Sequence, residues 1–220
     1  MGRRAEHTAR LRSLPLADWP AYLREHGGLP GPRADLELAQ AVADTADPAT
    51  AERLIDTDEE YLVLCGTVAL SHDPARLRVL ATDKRWRVRE GVAIALQRIG
   101  DADPARLQAL AADWAGDPHP LVQRAAVAGL CEPRLLKTSS AAAAAIAVCR
   151  SVTDSFTARP AQQRRDEDVR TLRKALGYTW SIAVAADKPH GRPAFDRLAA
   201  STDADVAWIV RANLGKARMR

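Results

Sequence analysis

The sequence predicts an all-α protein, a right-handed α-solenoid of stacked helix pairs, and three observations predict it. First, Asp83 to Gly100 (DKRWRVREGVAIALQRIG) reads as an amphipathic helix with two faces. At about 100° per residue, Val88, Val92, Ala95 and Ile99 form one apolar stripe, and Trp86, Glu90, Ala93 and Gln97 form a narrow second stripe opposite it. Second, the phrase recurs: Asp117, Val122, Arg124, Ala126 and Leu130 stand 34 residues after Asp83, Val88, Glu90, Val92 and Leu96. Looser copies run through residues 166–180 and 203–217. Self-similarity at this spacing marks units that cannot bury their apolar faces alone and must stack. Third, no segment alternates with period two long enough for a strand, and aromatics make up only 5% of the chain.

Taken in order, residues 4–26 predict one or two short amphipathic helices. Their Leu11, Leu14, Leu16, Trp19, Tyr22 and Leu23 cover the open end of a stack, as solenoid caps do. GGLPGPR (27–33) breaks the chain. An acidic helix pair follows at 35–44 and 48–56, with Pro48 at a first helical position. Helices are then expected near 59–71, 74–82, 85–99, 103–115 and 119–131, the Asp-Pro pairs at 73 and 103 opening two of them. Asp83 caps the 85–99 helix and Gly100 ends it. After Leu130 the register slips. The interval to the next copy grows to about 50 residues, through a longer Ala-rich helix at 140–157 and a polar loop or fray at 158–168. A helix at 168–186, a break at DKPHGRP (187–193), and helices at 194–200 and 204–217 complete a single solenoid domain over 1–220. Residues 1–33 form its cap, 34–217 its repeats, and 132–168 its irregular member.

Composition narrows the function. Residues 34–75 carry 1 basic and 10 acidic side chains, whereas 76–220 carry 25 and 15, so the net charge of +4 conceals a strongly basic run of repeats. Such a field favours polyanionic partners. The pair Arg3 and Arg4 is followed by no apolar run, and the stretch from Ala141 to Cys149 is too short to span a bilayer; no membrane association and a cytoplasmic location are expected. Cys65, Cys131 and Cys149 lie in apolar helical text and read as reduced core thiols. His7, His26, His72, His119 and His190 are isolated in sequence, which favours exposed or capping roles over metal binding. No phosphate-binding glycine loop, zinc spacing, HExxH or GxSxG is present. Neither a metal nor a cofactor is expected, and a monomer is.

The second face is the candidate site. Trp86 and Glu90, four apart, share one side of their helix. Transferring the register puts Arg124 at the Glu90 position, Lys174 one repeat further with Tyr178 one turn on, and Trp208 at the Trp86 position. If these helices line the inside of the stack, one basic groove gathers Trp86, Glu90, Arg124, Lys174, Tyr178 and Trp208, suited to duplex DNA or a protein partner. Asp83, Asp117 and Arg89 fall outside it, as a ladder and caps between repeats.

The phrase D…VR…A…AL…IGD, over about residues 45–217, resembles the HEAT repeat, a two-helix unit of armadillo-like superhelices. RWRVREGVA, LVQRAAV and LRKALGYTW further resemble the corresponding helices of the AlkD-type alkylpurine DNA glycosylases. In that family a Trp-x-x-x-Asp pair, an Arg in an L-Q-R-T/A-A phrase and a Trp in a K-A-I-G-W phrase line the groove that faces DNA. The matching positions are Trp86 and Glu90, Arg124, and Tyr178, with Glu in place of Asp and Tyr in place of Trp. The resemblance implies two functions: a HEAT-repeat binding protein, or a metal-independent enzyme of DNA alkylation repair. The enzyme would release cationic purines such as 3-methyladenine and 7-methylguanine, with Glu90 as its catalytic carboxylate.

Overall fold

The computed structural model describes residues 2–220. Among them the chain forms thirteen α-helices and four short 3-10 turns, and no strand. The helices are α1 (Arg3–Ser13), α2 (Trp19–His26), α3 (Leu36–Ala43), α4 (Pro48–Asp56), α5 (Glu60–Ala69), α6 (Pro74–Leu80), α7 (Trp86–Ala102), α8 (Pro104–Ala115), α9 (Pro120–Leu130), α10 (Ser139–Ala158), α11 (Glu167–Ala186), α12 (Lys188–Ala199) and α13 (Ala204–Leu214). None of them is long and apolar enough to cross a membrane. They fall into two compact units, one ending at Ala95 and the other beginning at Leu96.

Aspartates start many of these helices. The Asp35, Asp47, Asp73 and Asp103 carboxylates accept from the backbone N–H three residues on, at 3.1, 2.7, 3.0 and 3.0 Å. Three of these aspartates are followed by a proline whose missing N–H would have gone unbonded in any case. A second kind of turn marks the copies seen in sequence. Asp83 accepts from Arg85 N–H at 2.8 Å, Asp117 from His119 N–H at 2.8 Å and Asp203 from Asp205 N–H at 2.9 Å. An Asx turn of this kind points the chain into the helix that follows. Arg89 reinforces the first copy by donating to the Asp83 carbonyl at 2.6 Å.

In the first unit, α5 is buried from Tyr61 to Val68. Its Leu62, Leu64, Cys65 and Val68 share a core with Leu11, Trp19, Leu23, Leu38, Val42 and Leu54. Gly66 lets α4 approach, since a Cβ there would stand 2.5 Å from the Ala51 carbonyl oxygen. The start of α7 lies along the start of α5: Arg85 Nη1 reaches Asp58 Oδ1 at 2.7 Å and Arg87 Nη1 reaches Glu60 at 3.3 Å. Asp58 takes a left-handed φ of 57°, uncommon for a residue with a Cβ, and its carbonyl accepts from Arg85 as well, at 2.9 Å.

In the second unit, successive even helices back a row of odd ones that run parallel. Leu96 of α7 fills the space over Gly129 of α9. His119 Nε2, at the start of α9, is 4.0 Å from Asp168 at the start of α11. α11 and α13 are joined by Arg173 to Asp205 near their starts and by Asn213 to Leu176 and Ser181 further on. Behind α11, Trp180 Nε1 donates to Thr153 Oγ1 of α10 at 3.0 Å.

Two expectations are corrected, and a third resolves to one of its two alternatives, a loop. Gly100 does not end α7, which continues to Ala102. Its glycine answers a close approach instead, because a Cβ would meet Leu107 Cδ2 at 2.4 Å. The break at 187–193 is one residue long: Asp187 caps His190 N–H at 3.3 Å and α12 starts at Lys188, with Pro189 in its first turn and Pro193 inside it. The polar stretch 158–168 is held, not frayed. Arg159 donates to the Pro118 carbonyl at 2.9 Å, and Arg164 donates to the Thr157 and Arg159 carbonyls and to Asp203.

Candidate functional site

The six residues of the expected groove divide between the units. Trp86 and Glu90 lie on α7 in the first; Arg124 on α9, Lys174 and Tyr178 on α11 and Trp208 on α13 lie in the second. Trp86 is 53% exposed, the most open of the tryptophans, and the Arg87 guanidinium stands 4.6 Å from its ring centroid. Glu90 is partly buried one turn on.

Within the second unit, neighbours account for three sides of α11. α10 and α12 lie behind it, α9 lies on one flank, and on the other Trp208 of α13 rests on Gly177, where a Cβ would come within 2.9 Å of the Trp208 ring. Trp208 is thus part of the α11–α13 seam, capped by Arg173 at 4.7 Å from its ring centroid, while Arg173 also pairs with Asp205. The remaining side of α11 is open and carries Arg170 and Lys174, four apart and both exposed, with the partly buried Tyr178 one turn beyond. Neither Arg170 nor Lys174 forms an ion pair or hydrogen bond among the described residues. Arg211, exposed on α13, is unpaired in the same sense.

The acids of these helices are confined to their starts. Asp117 precedes α9; Asp166, Glu167 and Asp168 open α11; Asp203 and Asp205 open α13. Residues 118–131, 169–186 and 206–220 then contain no Asp or Glu at all. Carboxylates belong at helix N-termini, where they meet unbonded N–H groups and the positive end of the dipole. Burial pushes Asp203 up, but the hydrogen bond from Arg164 and those from the Val206 and Asp205 N–H groups outweigh it and hold Asp203 below the usual carboxylate range. The consequence is an edge that gathers the acids, Asp203 and Asp205 there being paired with Arg164 and Arg173, and, beyond it, shafts bearing only cations. Arg170 and Arg211 are absent from the sequence-based site; the signal that could have found them is this lack of acid downstream of each cap.

Other clusters offer less. A cleft of about 340 Å³ in the first unit is lined by Arg24, Glu59, Glu60 and Arg87, but its charges are matched, with Arg24 Nη2 2.6 Å from Glu59 and Arg87 paired to Glu60. The histidines are less isolated in space than in sequence. Tyr22 OH is 2.8 Å from His7 Nδ1, its ring lies 4.4 Å from that of His26, and His7 Nε2 is 3.7 Å from Asp35. This group fastens α1 to α2 and α3, and burial raises the Tyr22 hydroxyl above its ordinary value. The three cysteines are free and buried, with Cys131 Sγ 3.6 Å from Cys149 Sγ. No three His, Cys, Asp or Glu side chains gather as a metal site among the described residues.

Comparison with known proteins returns no counterpart: no family model, no curated protein and no solved structure matches the chain.

Proposed function

We propose that this chain is a HEAT-like helical-repeat protein, a right-handed α-solenoid, that binds duplex nucleic acid through the phosphate backbone with the open face of α9, α11 and α13. The recurring aspartate turns at 83, 117 and 203 and the parallel row of odd helices support the repeat reading. The observation that carries the binding reading is the acid-free shaft of α11, with unpaired Arg170 and Lys174 on its open side. Arg124, Tyr178 and Arg211 extend that surface. Contacts of this kind position a protein on a duplex without reading its sequence. The test is titration of a labelled duplex at two salt concentrations: affinity should fall steeply with salt, and each cation removed should reduce the slope of log K against log salt by about 1. Absence of binding at low salt would overturn the reading and point to a protein partner.

A second reading is favoured by one observation, the exposed Trp86 ring one helical turn from Glu90. In an AlkD-like glycosylase, aromatic faces would hold a cationic alkylpurine and a partly desolvated carboxylate would offset charge developing on the sugar. Purified protein would then release methylated purines from alkylated DNA and ignore intact bases. Glu90→Gln would remove most of the rate while leaving DNA affinity nearly unchanged, because it deletes a charge that matters in the transition state. No base release, with duplex binding intact, leaves the first reading alone.

A further inference from the structure

On the other side of the second unit, a cleft of about 250 Å³ opens between α10, α12 and the beginning of α13. Its floor is apolar: Trp180, Ala194 and Val206 are 1%, 7% and 1% exposed, and Leu198 flanks them. Its rim carries Arg150 of α10 and Arg197 of α12, both exposed. Neither guanidinium has an ion pair or hydrogen bond among the described residues, although arginines elsewhere in the unit, such as Arg134, Arg159, Arg164, Arg173 and Arg192, are engaged.

The hydroxyls in the cleft are unequal. Thr153 donates to the Cys149 carbonyl at 2.7 Å and accepts from Trp180, and Thr157 donates to the Asp154 carbonyl at 2.9 Å, so neither has a proton to offer. Ser201 accepts from Asp203 N–H at 3.2 Å and its own proton has no acceptor among the described residues. The unsatisfied donors are therefore two planar guanidiniums and one hydroxyl, set over an aromatic and aliphatic floor. The Asp154 carboxylate also lines the cleft and has no ion pair or hydrogen bond among the described residues. Two cations against one carboxylate leave a small positive surplus, enough for a single anionic group and ill suited to a string of phosphates.

We propose that this cleft binds a small phosphate monoester, its phosphoryl oxygens held by Arg150, Arg197 and Ser201 and its apolar body laid on Trp180, Ala194, Leu198 and Val206. Guanidinium forks match phosphate geometry and form charge-assisted bonds about twice as strong as neutral ones. The volume is below the about 300–1,000 Å³ of sites for drug-sized molecules, which sets the body at about one ring. The proposal is independent of duplex binding, since Arg150 and Arg197 lie outside the α9–α11–α13 face.

The probe is phenyl phosphate, titrated calorimetrically into the full chain at low salt, with inorganic phosphate and benzoate as comparison ligands. Phenyl phosphate should saturate one site per chain at millimolar concentration or below, inorganic phosphate should bind more weakly for want of a body, and benzoate more weakly for want of a second negative charge. Arg150→Ala and Arg197→Ala, both exposed and unpaired positions, should each weaken binding by about tenfold or more with unchanged helical content. Lys174→Ala, on the opposite face, should leave it unchanged. No saturable binding, equal binding of benzoate, or a loss with Lys174→Ala matching that with Arg150→Ala would each overturn the assignment.

Discussion

Replacing Asn213 by leucine tests how α11 and α13 are joined. Asn213 is fully buried on α13, and its amide bridges two backbone groups of α11: Nδ2 donates to the Leu176 carbonyl at 2.9 Å, and Oδ1 accepts from Ser181 N–H at 2.8 Å. A second bond runs from Nδ2 to the Ile209 carbonyl at 2.8 Å. With two carbonyls on one side and an N–H on the other, only one orientation of the amide fits. Leucine has nearly the same shape and no polar atoms, so its substitution leaves the Leu176 and Ser181 groups facing hydrocarbon. Each orphaned group costs about 1–3 kcal/mol, and the added apolar burial returns about 1–2 kcal/mol. A net loss of about 3 kcal/mol in a chain of this length lowers the melting temperature by about 6–12 °C, to be read by circular dichroism at 222 nm. Asn213→Asp separates the groups further. It keeps an acceptor for Ser181 but sets a carboxylate oxygen against two carbonyls, so its folded pKa must lie above the unfolded value. Its destabilisation should grow as pH rises through the ordinary carboxylate range and shrink in acid. A leucine variant melting within about 2 °C of wild type would show that α11 closes Ser181 N–H on its own ladder, and the bridge would then be incidental.

Three further outcomes are expected. Gly66→Ala places a methyl 2.5 Å from the Ala51 carbonyl oxygen and 2.8 Å from Ile55 Cγ1; overpacking of about 1–3 kcal/mol outweighs the about 1 kcal/mol gained in helix propensity, and urea denaturation should show a lower midpoint at unchanged slope. Asp47, Glu59, Asp83 and Asp203 all sit below the ordinary carboxylate range; their stabilisation is complete above the unfolded value near about pH 4 and is lost as pH falls through the folded values, so melting temperature should drop in acid, less steeply in Asp203→Asn. Burial raises the Cys65 thiol far above its usual range, and Cys131 rises through its contact with Cys149 and through burial; an aromatic disulfide reagent at pH 8 should therefore find no fast-reacting thiol in the native protein and three in denaturant.

Helix starts were legible because an aspartate before a proline is a local device: Asp73 and Asp103 act on the backbone three residues away, whatever the rest of the chain does. The ends were harder. Gly100 looks like a stop signal, yet what decides its identity is Leu107, brought against it by the next helix. Asp187 shows the same limit in reverse, since its cap overrides two prolines that in sequence suggest a longer break. The insertion after α9 could be recognised by its length but not by its attachment, because Arg159 and Arg164 find their partners 41 and 39 residues away. For the candidate site, Trp86 and Glu90 lie four apart on α7 and Lys174 and Tyr178 four apart on α11, a spacing that can be read from sequence. It could not show that Trp208 rests on Gly177, which depends on how closely α13 approaches α11, nor that Asn213 enters the backbone of α11.

The placement of charge in the second unit follows from the helices being parallel. A carboxylate gains most at a helix start, where it caps and meets the dipole, so Asp117, the Asp166 to Asp168 run, Asp203 and Asp205 all lie there. If neighbouring helices alternated in direction, those acids would be spread over both ends of the array and would neutralise cations wherever they fell. In α9, α11 and α13 the starts lie on the same side, as the His119–Asp168 and Arg173–Asp205 contacts show. The acids therefore gather along one edge, where Arg159, Arg164 and Arg173 are also held by backbone carbonyls or paired. Arg170, Lys174 and Arg211 stand further along and meet no carboxylate among the described residues. Reversing Lys174 to Glu would return acid to the shaft without touching a cap or a seam. It should leave the stability within about 0.5 kcal/mol of wild type, while weakening duplex binding more than Lys174→Ala does. If the two variants bind duplex alike, the open face of α11 is not the surface that meets the phosphates.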